Sequence, residues 1–147
     1  MKITDAFLGE HAVFYAQIKY LEQSIPAADA LAQVKSQGAM LAAALASHAQ
    51  LEEELLFTTV EPHIGALGPL AVMRMEHEQI EGALERLPAV QDLEEARALL
   101  LQVVENARAH FAKEEQTLYP TAIQALDAAS LAQLGTQWAA RRAVILA

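Results

Sequence analysis

The stretch "HAQLEEELLF" runs from His48 to Phe57, and a near-copy, "HFAKEEQTLY", runs from His110 to Tyr119. Each places a histidine four residues before a Glu-Glu pair, then a leucine and an aromatic residue at matching offsets. Spacing of i, i+4 puts histidine and glutamate on one face of a helix, one turn apart. The flanking pattern supplies that helix. Around the first copy the apolar seam reads Val34, Gly38, Leu41, Leu45, His48, Glu52, Leu55. Around the second it reads Ala96, Leu100, Val103, Ala107, His110, Glu114, Thr117. Steps of three and four residues mark the buried stripe of an amphipathic helix, so both His-Glu pairs fall where apolar core is expected.

Working outward, the pattern predicts helices from about Asp29 to Val60 and from about Leu93 to Ala125. A helix capped by Thr4 precedes the first and stops near "SIPAAD"; it carries Phe7, Leu8, Phe14, Ile18 and Leu21. Another, from about Leu70 to Leu87, precedes the second, carries Met73, His77, Ile80 and Leu84, and is closed by Pro88. The turn-forming "EPHIGALGP" separates the two halves. A short last helix after Ser130 holds Leu131, Leu134, Trp138 and Ile145, with Trp138 packing over the bundle end. The expected fold is all-α: an up-down-up-down antiparallel four-helix bundle with a short C-terminal fifth helix. One domain spans 1–147, its bundle core about 4–125 and its last helix about 130–146.

The halves are related. "EH" at Glu10-His11 recurs at Glu76-His77, 66 residues on, and the long motif recurs after 62. Helices one and two therefore correspond to helices three and four, and equivalent residues face each other across the core. His11 and His77 fall on inner faces, and Glu81 follows His77 by one turn. Burying seven such side chains unpaired would cost several kcal/mol each, against a net stability of about 5–15 kcal/mol. A cation shared by imidazoles and carboxylates removes that cost, and a ligand set without thiolate suits iron, manganese or zinc. The competing reading is a buried His–Glu hydrogen-bond network without metal, which ion-pair energetics disfavour.

These residues, His11, His48-x-x-x-Glu52, His77 and His110-x-x-x-Glu114, resemble the hemerythrin-like, or HHE cation-binding, family over roughly residues 4–125. The resemblance implies a non-haem centre of two iron ions, with manganese or zinc as substitutes, joined by an oxo or hydroxo bridge. It implies His11 and His48 on one iron, His77 and His110 on the other, and Glu52 and Glu114 bridging both. The chain departs from the oxygen carriers where their third helix supplies a second histidine and this one has Glu81. Their fourth-helix carboxylate lies five residues after the histidine, an offset that Glu115 fits, although Glu114 lies better on the seam. A carboxylate in place of an imidazole hardens the site, favours ferric iron and disfavours reversible oxygen carriage. With Glu81, the His77/His110 metal would have five protein ligands and its neighbour four. The repeat sets Tyr15 opposite Glu81, so Tyr15 reads as an additional ligand, as a hydrogen-bond donor to whatever binds, or as a core tyrosine.

Other residues are expected elsewhere. His63 reads as a surface or lid histidine. Glu53, Glu54, Glu78 and Glu85 fall off the seams. Glu10 and Glu76 read as solvated, with a role in orienting an imidazole as the alternative. Nineteen acidic residues against ten basic ones give a net charge of −9, which excludes nucleic acid as a partner. No run approaches the ~18 apolar residues of a membrane span, and no export signal is read in "MKITDAFLGEH", so the expected location is cytoplasmic. With no cysteine, thiolate chemistry is excluded. Family members that repair iron centres carry a cysteine-bearing segment, which lowers that option. The functions left open are binding or sensing of a small oxidant or gas (dioxygen, peroxide or nitric oxide), oxidase- or peroxidase-type catalysis, and iron handling. The implied partner is a small diatomic or peroxide ligand; a protein partner is not indicated.

Overall fold

The computed structural model describes residues 1–145. Four rods and a shorter helix account for most of them. The first rod, α1, is Ile3–Ala27. The second consists of α2 (Leu31–Leu51), a π-turn (Glu52–Phe57) and α3 (Thr58–Ile64). The third is α4 (Pro69–Arg86), finished by a 3₁₀ turn at Leu87–Ala89. The fourth consists of α5 (Leu93–Lys113), a second π-turn (Glu114–Leu118) and α6 (Tyr119–Ala125). Helix α7 is Ala128–Arg141. Connections of a few residues force neighbouring rods to run antiparallel. Rod α1 packs on α5, α5 on α4, α4 on α2 and α2 on α1, which closes the bundle, while α7 lies across α1 and the first π-turn.

Helix ends follow from local chemistry. Asp92 and Asp127 cap α5 and α7 by accepting from the N–H groups of Glu95 (2.8 Å) and Ser130 (2.7 Å). The last helix therefore begins before Ser130. Thr4 is not the cap of α1: it is buried inside the first turn, and Asp5 accepts from the Lys2 N–H (3.0 Å). The "EPHIGALGP" turn is shorter than expected, since α3 carries Pro62 and His63 and the chain turns only at Gly65 and Gly68. Both glycines have positive φ, 85° and 73°. At the other end α7 stops at Arg141, and Ile145 is 95% exposed instead of packed; the expected helix end at residue 146 lies outside the described residues.

Two apolar clusters fill the bundle. One holds Phe14, Ile18, Leu21, Leu41, Leu100 and Phe111; the other holds Phe7, Leu56, Phe57, Leu118, Leu131 and Leu134. Between them lies a buried layer of His11, His48, Glu52, His110 and Glu114. Glycine stands at two close approaches. A Cβ on Gly38 would meet Leu87 Cδ2 at 2.1 Å, and one on Gly135 would meet the Met1 carbonyl at 2.3 Å, which is how the start of α1 lies against α7. Among the described residues no helix is long and apolar enough to cross a membrane.

Candidate metal centre

Each glutamate of the polar layer opens a π-turn. Hydrogen bonding from i to i+5 inserts an extra residue into the turn, and this moves the seam by one. Thr117, expected inside, is exposed, while Leu118 and Tyr119 are buried. In an α-helix Tyr119 would stand about 140° round the axis from Glu114; with the π-turn it reaches the polar layer. In the other rod the same device buries Leu55, Leu56 and Phe57 in succession.

Six of the predicted residues converge. His11, His48, Glu52 and Glu114 each offer one ligand atom within 4.8 Å of the others, and so do Glu52, His77, His110 and Glu114. Both glutamates belong to both groups. Glu114 turns Oε2 to His11 Nε2 (3.2 Å) and Oε1 to His110 Nε2 (3.1 Å) and His77 Nε2 (3.9 Å). Glu52 presents one oxygen, Oε2, to both His48 Nε2 and His77 Nε2, each at 3.4 Å. Separations of this size are those of neighbouring donors around one cation.

The outer nitrogens are held by carboxylates. His11 Nδ1 lies 2.9 Å from Glu115, His48 Nδ1 2.5 Å from Glu10, and His110 Nδ1 2.9 Å from Glu76. An ionised carboxylate only accepts, so each Nδ1 donates and each Nε2 is turned inward. Glu10 and Glu76 are thus not on the solvated face that is the first expectation from sequence; they follow the alternative, each taking the imidazole of the neighbouring rod, and the repeat makes the two contacts equivalent. Among the described residues no carboxylate lies on Nδ1 of His77. Glu53, the repeat counterpart of Glu115, is tied instead to Arg74 through three contacts of 2.7–3.1 Å.

Without a cation the layer draws protons. Burial opposes charging His48, but Glu52 and the hydrogen bond to Glu10 outweigh it and push its pKa up to about 10. Burial also opposes the Glu52 charge, yet His48 and His77 hold Glu52 well below the usual carboxylate range. Burial, with the Glu52 charge beside it, pushes Glu114 up to about 8. Protons satisfy this layer poorly. Glu52 Oε2, His110 Nε2 and both oxygens of Glu114 are buried with no hydrogen-bond partner, a state that native interiors avoid. A cation between them would meet all four, and harder nitrogen and oxygen donors suit iron, manganese or zinc.

Tyr119 is the site residue that the sequence reading missed. Its buried hydroxyl donates to Glu52 Oε1 (2.5 Å) and stands 3.0 Å from His11 Nε2. Its counterpart Phe57 lies parallel to His77 at 5.8 Å between ring centroids, without a hydroxyl. The signal was the aromatic residue at the same offset in both motifs. Tyr15 and Glu81 stand outside both groups of converging atoms. Tyr15 donates to Glu115 (3.0 Å), and burial with that hydrogen bond pushes its pKa up to about 12. Glu81 is exposed: His77 lies at the groove between α2 and α4, and one turn further along the same face the carboxylate stands in water.

Exposure of the site is uneven. The His77 side chain is 13% exposed, whereas those of His11, His48, His110 and the two glutamates are at 2% or less. A groove of about 330 Å³ between α2 and α4 reaches His77, lined also by Glu53, Arg74, Glu78 and Glu81. His77 and Glu81 also line a cavity of about 20 Å³ against His48, Ile80, His110 and Phe111.

Comparison with known proteins agrees with this geometry. The profile of the hemerythrin HHE cation binding domain matches residues 2–122. No curated protein and no solved structure gives a match. The matched region contains both π-turns and all six converging residues, which together with the family point to metal binding. The chain belongs to the hemerythrin HHE cation-binding family.

Proposed function

We propose that this chain holds two iron ions side by side and uses them to bind, or react with, a small oxidant or gas such as dioxygen, peroxide or nitric oxide. His11 and His48 would hold one ion, His77 and His110 the other, with Glu52 and Glu114 shared. The observation that carries the reading is the overlap of two four-residue groups in both glutamates, with their inward oxygens left without partners. Bound iron supplies redox chemistry and open coordination positions for a small ligand. The chain's own residues do the rest. Glu10, Glu76 and Glu115 orient three imidazoles, and Phe7, Phe14 and Phe111 pack on the rings of His48 and His11 and exclude water.

Ligand size follows from the cavity beside His48, His77 and His110. About 20 Å³ suits one water-sized or diatomic molecule, since roughly 10–15 Å³ is the least that holds a water. The groove at His77 supports entry from that side, and the reading assigns Glu81 to the groove mouth and not to coordination. A second reading, turnover of dioxygen or peroxide, draws on Tyr119, whose hydroxyl keeps a proton between Glu52 and His11.

The test is metal analysis of protein made in iron-replete cells, with absorption spectra before and after oxidant. Two irons per chain and a near-ultraviolet band that changes on oxidation are expected. A folded chain with less than one tightly bound metal would sink the reading.

A further inference from the structure

Glu10 accepts four hydrogen bonds. One comes from His48 Nδ1 (2.5 Å), and the other three come from the C-terminal part of the chain: Trp138 Nε1 (2.8 Å), Arg142 Nε (2.6 Å) and Arg142 Nη2 (3.1 Å). Arg142 also donates to Ser47 Oγ (2.5 Å), next to His48 in sequence. A carboxylate with one oxygen on an imidazole and both oxygens gripped from behind has no freedom to rotate, so the imidazole has none either. The grip originates outside the four rods. Leu131 and Leu134 bury α7 in the apolar cluster of Phe7 and Phe57, and Gly135 lies against the Met1 carbonyl, which fixes α7 to the start of α1.

The other half has no such device. Glu76 orients His110 as Glu10 orients His48, but behind it, among the described residues, stands only Lys113, whose side chain is 51% exposed. The repeat thus built two equivalent carboxylate–histidine pairs, and α7 reinforces one.

We propose that Trp138 and Arg142 are positioning residues for the His11/His48 half of the centre: by holding Glu10 against His48, α7 sets how tightly that cation position is held and leaves its His77/His110 counterpart untouched. The inference rests on the two-cation reading above. Outer partners of ligating histidines are typically worth 10–100-fold in metal affinity. Trp138 and Arg142 act one bond further out, so the low end of that range is expected.

The experiment is an anaerobic cobalt(II) titration of the chelated protein, followed by visible absorption and calorimetry. The parent chain should show two binding events. Trp138→Phe, which keeps an aromatic ring on the cluster and removes the N–H donor, and Arg142→Gln should each weaken one event about tenfold and leave the other unchanged. Arg142→Lys should recover part of the loss, and Lys113→Gln should leave that same event at parental strength. A role confined to folding would lower the melting temperature and shift both events or neither. If Arg142→Gln does not fold, Trp138→Phe decides. Two events of parental strength in the folded variants would overturn this inference alone. A parent chain that takes up no cobalt would overturn it together with the proposed function.

Discussion

Two carboxylates buried in one site cannot both carry full charge cheaply, and Glu52 and Glu114 divide the burden unequally. Glu52 keeps its charge because His48 and His77 face it; Glu114 holds its proton up to about 8. The consequence for stability has a definite sign. Glu114 is raised above its ordinary 4.5, so the folded metal-free chain keeps a proton that the unfolded chain has already released, and stability falls as pH rises from about 4.5 to about 8. His48, raised from 6.5 to about 10, acts in the same direction over its own window. The chelated protein should therefore melt at a lower temperature near about pH 9 than near about pH 6. Glu114→Gln, which removes the titrating group and keeps the shape, should flatten that slope. Thermal melts at several pH values check this, and an equally steep slope in the variant would show that Glu114 is not its source. Added cation should compete with the same protons, so uptake should release protons, detectable as a buffer-dependent heat of binding.

At the scale of elements, the seams and the repeat were legible because a 3.6-residue period and an i, i+4 pair leave direct traces in sequence. His48, Glu52, His110 and Glu114 stand in apolar stripes, where only burial explains the stripe and only a shared partner explains the burial. The π-turns left no such trace. A one-residue slip inside a helix changes no residue type, so stepping by three and four carried Thr117 inward and left Tyr119 unassigned. Glu10 and Glu76 were misread for a related reason: their partners are on the next rod, and spacing along one helix says nothing about what faces it. Helix α7 was legible as an amphipathic segment, but its hold on Glu10 was not. That docking makes Gly135 sensitive. Gly135→Ala would raise helix propensity, yet its Cβ would press on the Met1 carbonyl, and overpacking of this kind costs about 1–3 kcal/mol. Urea denaturation should show a lower midpoint with an unchanged slope. A more stable variant would mean that the first two residues move aside freely.

For the whole molecule, the polar layer between two apolar clusters makes stability a function of occupancy. A ligand that binds only the folded chain adds about 2.7 kcal/mol at 100 times its dissociation constant, which for a chain of this size is roughly 5–10 °C in melting temperature. Ferrous or cobaltous ion should raise the melting temperature by that order and a chelator should reverse it; no shift at saturating cation would contradict the two-cation reading. The exposure of His77 carries a further consequence. Under the proposed two-cation reading, entry from the His77 side would set the two positions in series and not in parallel. An ion bound for His11 and His48 would pass the place between His77 and His110, and would leave after its neighbour. Loading would then be first in, last out: the inner ion would be the resident and the outer one the traffic. In a mixed-metal preparation, the order of addition, and not relative affinity alone, would decide which element sits where.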